Sequence, residues 1–259
     1  DRLRSCPPLR AGLFCMTTEP RLSDYRIHYR LDADLIEGPA DLRPARSASE
    51  RRRLETIRRA LRLGRGEFLL DLGCGSGWLA QLCHEAGVRV VATDIATAGV
   101  AGARARFPGA ARFAVTDAYH TALADESFDA VVLSEVVEHL EDPGAGLREA
   151  ARITKRGGRI LVTVPYRETI VDHLCVHCNR LTPANAHLHS FDDDDLRQLF
   201  TGAGLRPLNV HHMTNKLLEL AGFPNLSRRW PYWSWRAVDG LLNSLTGKSA
   251  FLLMVAGKD

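Results

Sequence analysis

Leu69-Leu70-Asp71-Leu72-Gly73-Cys74-Gly75-Ser76-Gly77-Trp78-Leu79 decides the fold of this 259-residue chain. Apolar residues lead into one acid, three glycines alternate with small side chains, and a helical pattern follows. This reads as a buried strand, a tight turn and the start of a helix. Glycine has no side chain and tolerates positive φ, so a ligand can lie against bare backbone there. The amides of the new helix would face that ligand. The spacing Gly73-x-Gly75-x-Gly77 departs from the Gly-x-Gly-x-x-Gly of dinucleotide-binding turns. Asp71 would repel a pyrophosphate and instead suits a ligand carrying an ammonium group.

Outward from this stretch, strands and helices alternate. Strands are predicted at Phe68–Leu72, Val88–Thr93, Ala111–Val115, Ala130–Leu133 and Arg159–Val164. Helices are predicted at Ser49–Leu63, Trp78–Ala86, about Ala98–Arg106 and through Leu147–Ile153. Such alternation predicts a parallel sheet with helices on both faces. Beyond it come a helix over Asp192–Gly202, with acids in its first turn, a sixth strand over Leu205–Val210 and a last strand over Phe251–Val255. Residues 1–48 read as an N-terminal arm or lid, with the first 15 residues a disordered extension before Met16. The remainder, 49–259, reads as one domain with inserts at about 166–190 and 214–246.

The acids at the strand ends carry the ligand chemistry. Asp94 closes the second strand, where a carboxylate can accept two hydrogen bonds from ribose hydroxyls. The alternative for Asp94 is a helix N-cap. Asp117 closes the third strand, with an ordinary turn role as its alternative.

The pattern Asp-x-Gly-x-Gly-x-Gly at 71–77 resembles motif I of the class I S-adenosylmethionine (SAM)-dependent methyltransferases. Phe128-Asp129 opening an apolar strand, followed by Glu135-Val136-Val137-Glu138-His139-Leu140, is similar to the same family. Gly157-Gly158 through Pro165 resembles its glycine-rich turn and fifth strand. The match spans about Leu61–Pro165. The resemblance implies a seven-stranded, mostly parallel α/β sheet, with the last strand antiparallel between strands five and six. It implies SAM as cofactor, held by Asp71, Gly73, Cys74, Gly75 and Gly77 at the turn and by Asp94 and Ile95 beside it. By the same resemblance Asp117 and Ala118 read the adenine, and Ser134 and Glu135 lie beside the methionine half.

A sulfonium methyl is electrophilic and is attacked in line, so the protein must orient the acceptor and exclude water. A hydroxyl or ammonium acceptor must also lose a proton. His139 is the first candidate base, although it could instead only cap or pack against the arm. His173, His211 and His212 are rivals.

Cys175-Val176-His177-Cys178 followed by His187-Leu188-His189 suggests a zinc knuckle. A Cys-x-x-Cys turn places two thiolates on one metal, and tetrahedral Zn2+ accepts Cys2His2 sets. Cys175, Cys178, His187 and His189 are the candidate ligands, with His173 and His177 as alternatives. The expected role is structural, in an insert overhanging the acceptor pocket.

Composition is that of an ordinary globular protein: 25% charged, 45% hydrophobic, net charge +3. That charge is too mild to imply nucleic acid. The run Arg51-Arg52-Arg53 reads as a patch for an acidic partner or as a solvated helix face. No apolar run is long enough to span a bilayer, and the six cysteines do not form a secreted disulfide pattern, so a reducing cytoplasm is expected. Trp230-Pro231-Tyr232-Trp233-Ser234-Trp235 could wall an acceptor pocket, pack a small helical cap or meet a second subunit in a homo-oligomer. The expectation is therefore an enzyme methylating O or N of a small molecule, with neither nucleic acid nor membrane as partner. The alternatives are a SAM-binding enzyme of non-methylating chemistry, a zinc-dependent interaction module on the same fold, and an NAD-linked oxidoreductase.

Overall fold

A computed structural model describes residues 24–33, 44–174, 179 and 181–259. In chain order the elements are α1 (Tyr25–Ala33), α2 (Pro44–Leu61), β1 (Phe68–Leu72), α3 (Trp78–Glu85), β2 (Arg89–Asp94), α4 (Thr97–Arg106), β3 (Arg112–Val115) and β4 (Phe128–Ser134). Then follow α5 (Pro143–Ile153), β5 (Thr154–Pro165), β6 (Asp172–Leu174), β7 (Leu181–Pro183), α6 (Asp193–Gly202), β8 (Arg206–Asn215), α7 (Lys216–Leu220), α8 (Phe223–Leu226), α9 (Tyr232–Thr246) and β9 (Ser249–Gly257).

Seven strands form one sheet in the order β3-β2-β1-β4-β5-β9-β8. The pairs from β3 to β5 are parallel, and β9 runs antiparallel to both β5 and β8. The expected placement of the last strand is therefore observed. The chain winds from β1 to β2 and β3, then crosses to β4 on the other side of β1. That reversal opens a crevice at the carboxyl ends of β1 and β4, where open α/β sheets bind ligands.

Alternation along the central strands feeds two cores. Leu70, Leu72, Val131, Leu133, Ile160 and Val162 pack beneath Leu147, Ala150 and Ile153 of α5 and Leu196, Leu199 and Phe200 of α6. Leu69, Val90, Ala92, Ala130, Val132 and Leu161 pack beneath Leu54, Ile57 and Leu61 of α2 and Leu79, Ala80 and Cys83 of α3. Both faces are covered, so the strands read as continuous apolar runs. Each fully buried Leu or Ile contributes roughly 1.5–3 kcal/mol. Helix starts are chemically marked: Asp142 accepts from the Ala145 amide at 2.9 Å ahead of Pro143, and Asp192 and Asp195 form a capping box on α6.

Three expectations change. Part of the arm is helical: Tyr25–Ala33 forms α1, and α2 begins at Pro44 rather than at Ser49. The Gly157-Gly158 turn lies inside β5 as a register break, where Phe128 pairs with Thr154 but Ala130 pairs with Arg159. The sixth strand runs on to Asn215, because Asp239 of α9 accepts the Thr214 and Asn215 amides at 3.2 and 2.8 Å. The aromatic insert thus packs behind the sheet, with Trp235 buried and Trp233 74% exposed. Among the described residues, no helix is long and apolar enough to cross a membrane. Residues 1–15, Cys175, His177 and Cys178 lie outside the described residues.

Candidate active site

One crevice at the carboxyl ends of β1, β2, β3 and β4 gathers the predicted cofactor residues Asp71, Gly73, Cys74, Gly75, Asp94, Ile95, Asp117, Ala118, Ser134 and Glu135. Gly77 alone among them does not line it. The three glycines meet three different constraints. Gly73 has φ +85°, and a Cβ there would lie 2.3 Å from Val136 Cγ2. Gly77 has φ +79°, and its Cβ would lie 2.9 Å from the Ala103 Cβ, so it lets the turn press on α4. Gly75 has φ +48° and nothing within 4 Å of a built Cβ, so its open side is bare backbone toward the crevice.

Asp94 is 7% exposed. Its Oδ2 accepts the Gly75 amide at 2.9 Å and its Oδ1 accepts the Ala96 amide at 3.0 Å. A carboxylate offers about four acceptor positions, so two remain for a ligand. The N-cap position of α4 is Ala96, which sets aside the capping alternative for Asp94. Asp71 is buried, and its Oδ2 has no hydrogen-bond partner. Burial pushes its pKa up to about 7, the Asp94 charge adds to this, and Arg53 opposes it. Such a buried acceptor is satisfied by a cationic donor.

Asp117 is held by the arm: Tyr25 Oη donates to its Oδ2 at 2.7 Å, and Arg26 Nε lies 3.5 Å away. Tyr29 Oη donates to the His139 carbonyl at 2.6 Å and accepts from the Glu141 amide at 3.2 Å. The His139 backbone anchors the arm, and the residue also lines the crevice. Burial, with help from His187, lowers the His139 pKa to about 4, so the ring is neutral at neutral pH. Of the rivals, His212 lies between Ser249 Oγ and Asp193 Oδ1, each 3.0 Å away, and is outside the crevice with His211 and His173.

Arg53 is the residue that sequence reasoning missed. It is not part of a solvated face: only 8% exposed, it donates to Glu50 Oε2 at 2.9 Å and to Ser134 Oγ at 2.8 Å. Glu135 Oε1 lies 3.7 Å from it and accepts from Thr163 Oγ1 at 2.8 Å. Arg52 turns the other way and donates to the Ser227 and Trp230 carbonyls at 3.0 and 2.7 Å. The signal was Glu50, three residues before Arg53 and beside the Leu54, Ile57, Leu61 stripe, where an ion pair can be buried.

The predicted zinc histidines are placed apart in function. His187 contacts Glu168 through Nδ1 and stacks edge-on against His139, centroids 4.7 Å apart. His189 Nε2 bonds the Leu140 carbonyl at 2.9 Å.

Residues 70–162 match the family model described as a methyltransferase domain. A Mycolicibacterium smegmatis protein named "Probable S-adenosylmethionine-dependent methyltransferase" is 33% identical over 161 residues, covering 57% of this chain and 60% of that one. A demethylmenaquinone methyltransferase of Thermobifida fusca is 33% identical over 150 residues, covering 50% of this chain and 63% of that one. The chain thus spans less than two thirds of the length of these curated relatives. In fold it is similar to the cyclase SpnF, at a TM-score of 0.57 and 20% identity over 80% of each chain. Residues 70–162 thus form a methyltransferase domain, similar to those of proteins named as SAM-dependent methyltransferases, on a sheet of the class I methyltransferase fold.

Proposed function

We propose that this chain binds SAM in the crevice and transfers its methyl group to O or N of a small-molecule acceptor. The observation that carries this is the pairing of Asp71 and Asp94 on adjacent strand ends, above the open Gly75 backbone. In this reading Asp94 accepts the ribose hydroxyls, Asp71 accepts the ammonium, Asp117 and Ala118 take the adenine, and Ser134 and Glu135 flank the methionine portion. The α1 tyrosines then cover the adenine and acceptor ends and exclude water. His139 is the candidate base: neutral, it can accept a proton, although a pKa of about 4 leaves little driving force near neutral pH. The T. fusca relative is named for methylating a small molecule, which supports an acceptor of that size. The buried free thiols Cys74 and Cys83 fit a reducing cytoplasm.

Calorimetric titration with SAM, followed by assay for S-adenosylhomocysteine with candidate acceptors, tests this reading. Saturable SAM binding with S-adenosylhomocysteine release supports it. SAM binding without that product in any turnover would favour the non-methylating alternative, which the SpnF fold accommodates equally. The Cys175, Cys178, His187 and His189 zinc set rests on its sequence spacing and would claim His187 in place of the site below; zinc content of the purified protein that falls in Cys175→Ser, Cys178→Ser supports it, and a zinc-free wild type overturns it.

A further inference from the structure

Beside the acceptor end lies a group of side chains that cofactor binding does not explain. Glu138 is completely buried, and neither carboxylate oxygen has a hydrogen-bond partner. A buried carboxylate is costly unless it is protonated, paired or bound to a cation. The ligand atoms of Glu138, His139 and His187 all lie within 4.8 Å of one another. We propose that Glu138, His139 and His187 hold one divalent cation at the acceptor end of the crevice, with Glu168 orienting His187.

Three features argue for a built site. The Glu138 carbonyl accepts the Leu188 and His189 amides at 2.8 and 3.2 Å, so the returning insert that carries His187 is pinned to the Glu138 backbone. Glu168 engages His187 Nδ1, which leaves Nε2 with a lone pair for a metal. A carboxylate behind a ligating histidine is the usual orienting arrangement. The His139 and His187 rings meet edge-on with centroids 4.7 Å apart, which brings the two imidazoles to one place. Ligands drawn to about 2.1 Å from an ion stand roughly 3–3.5 Å apart, so atoms within 4.8 Å of one another close by no more than about 1.5 Å on binding. One carboxylate and two imidazoles suit Zn2+, Mn2+ or Fe2+ rather than Ca2+. His139 lines the crevice, so the ion would be placed to bind an acceptor oxygen, and His139 would then serve as its ligand in place of the base role.

Mn2+ is the discriminating probe, because thiolates select softer metals and the Cys175 and Cys178 pair should not compete for it. Chelator-treated protein is titrated with Mn2+, read by loss of the free-ion electron paramagnetic resonance signal, without SAM present. One Mn2+ per chain is expected. Glu138→Gln and His187→Ala should each weaken binding at least tenfold, and Glu168→Gln roughly tenfold. The double variant Cys175→Ser, Cys178→Ser should bind as the wild type does. Thermal unfolding checks that each variant is folded; should Glu138→Gln not fold, His187→Ala and Glu168→Gln decide. No Mn2+ uptake by the wild type overturns the proposal, as does unchanged uptake in the Glu and His variants or loss in the cysteine variant. Since SAM is absent, this outcome is independent of whether the cofactor reading stands.

Discussion

Asp94 Oδ2 lies 2.9 Å from the Gly75 amide, so the acid closing β2 holds the middle glycine of the turn after β1. One carboxylate therefore shapes the cradle and keeps acceptor positions to spare. Asp94→Ala should weaken SAM binding by tenfold or more, since a hydrogen bond to a charged group is worth about 1.5–3 kcal/mol. Calorimetry measures it; an affinity equal to wild type would remove Asp94 from the cofactor site.

The glycines separate folding from binding. Gly73→Ala places a Cβ 2.3 Å from Val136 Cγ2 at φ +85°, so it should lower stability by several kcal/mol. Gly75→Ala meets no neighbour and carries only the strain of φ +48°, about 1–2 kcal/mol. It should fold yet bind SAM poorly, because its methyl fills the ligand's side of the turn. Melting temperatures and SAM affinities of the pair test this; equal SAM affinity for Gly75→Ala and wild type would contradict it.

Asp71 makes stability and binding depend on pH in opposite senses. Its folded pKa of about 7 lies above the ordinary 3.8, so between these values the folded protein binds more protons than the unfolded chain. Stability of the ligand-free protein should therefore fall as pH rises from about 4 through 7. Asp71→Asn should remove that fall and leave the acid limit unchanged. SAM, whose ammonium favours the ionised acid, should bind more tightly as pH rises through 7, and this rise should vanish in Asp71→Asn. Denaturant melts and titrations across pH 5–8.5 measure both; a wild-type and a variant with parallel profiles would refute the assignment.

Arg53→Leu strands Glu50 and Glu135 in a poorly solvated site. Breaking a buried ion pair by removing one partner costs about 3–5 kcal/mol, which corresponds to a fall of roughly 10 °C in melting temperature at this size. Arg51→Leu, on the exposed side of α2, should change it by no more than a degree or two. A melting temperature for Arg53→Leu within two degrees of wild type would show the network to be dispensable.

Much of the fold was legible because its signals are local. Phe68–Leu72 was bounded by its own apolar run and by Gly73, and the observed β1 has those bounds. Asp71, Asp94 and Asp117 come together in one crevice because parallel strands deliver their carboxyl ends to one edge of the sheet. Gly77 was assigned with Gly75 because spacing cannot tell a glycine facing a ligand from one facing Ala103. Arg53 was hidden in a basic run, since helical periodicity marks the apolar stripe but not which neighbouring arginine is turned inward.

The sequence by itself determined the alternating strands and helices, the bend after β1 and the acids at the strand ends, because each depends on residues within a few positions. Only the tertiary structure decided that Arg53 is buried under Ser134, that the arm's tyrosines close over Asp117 and His139, and that His187 comes to rest against Glu138. Those pairings join residues 49 to 110 positions apart, and they are set by how helices and inserts pack on the sheet, which no local pattern encodes.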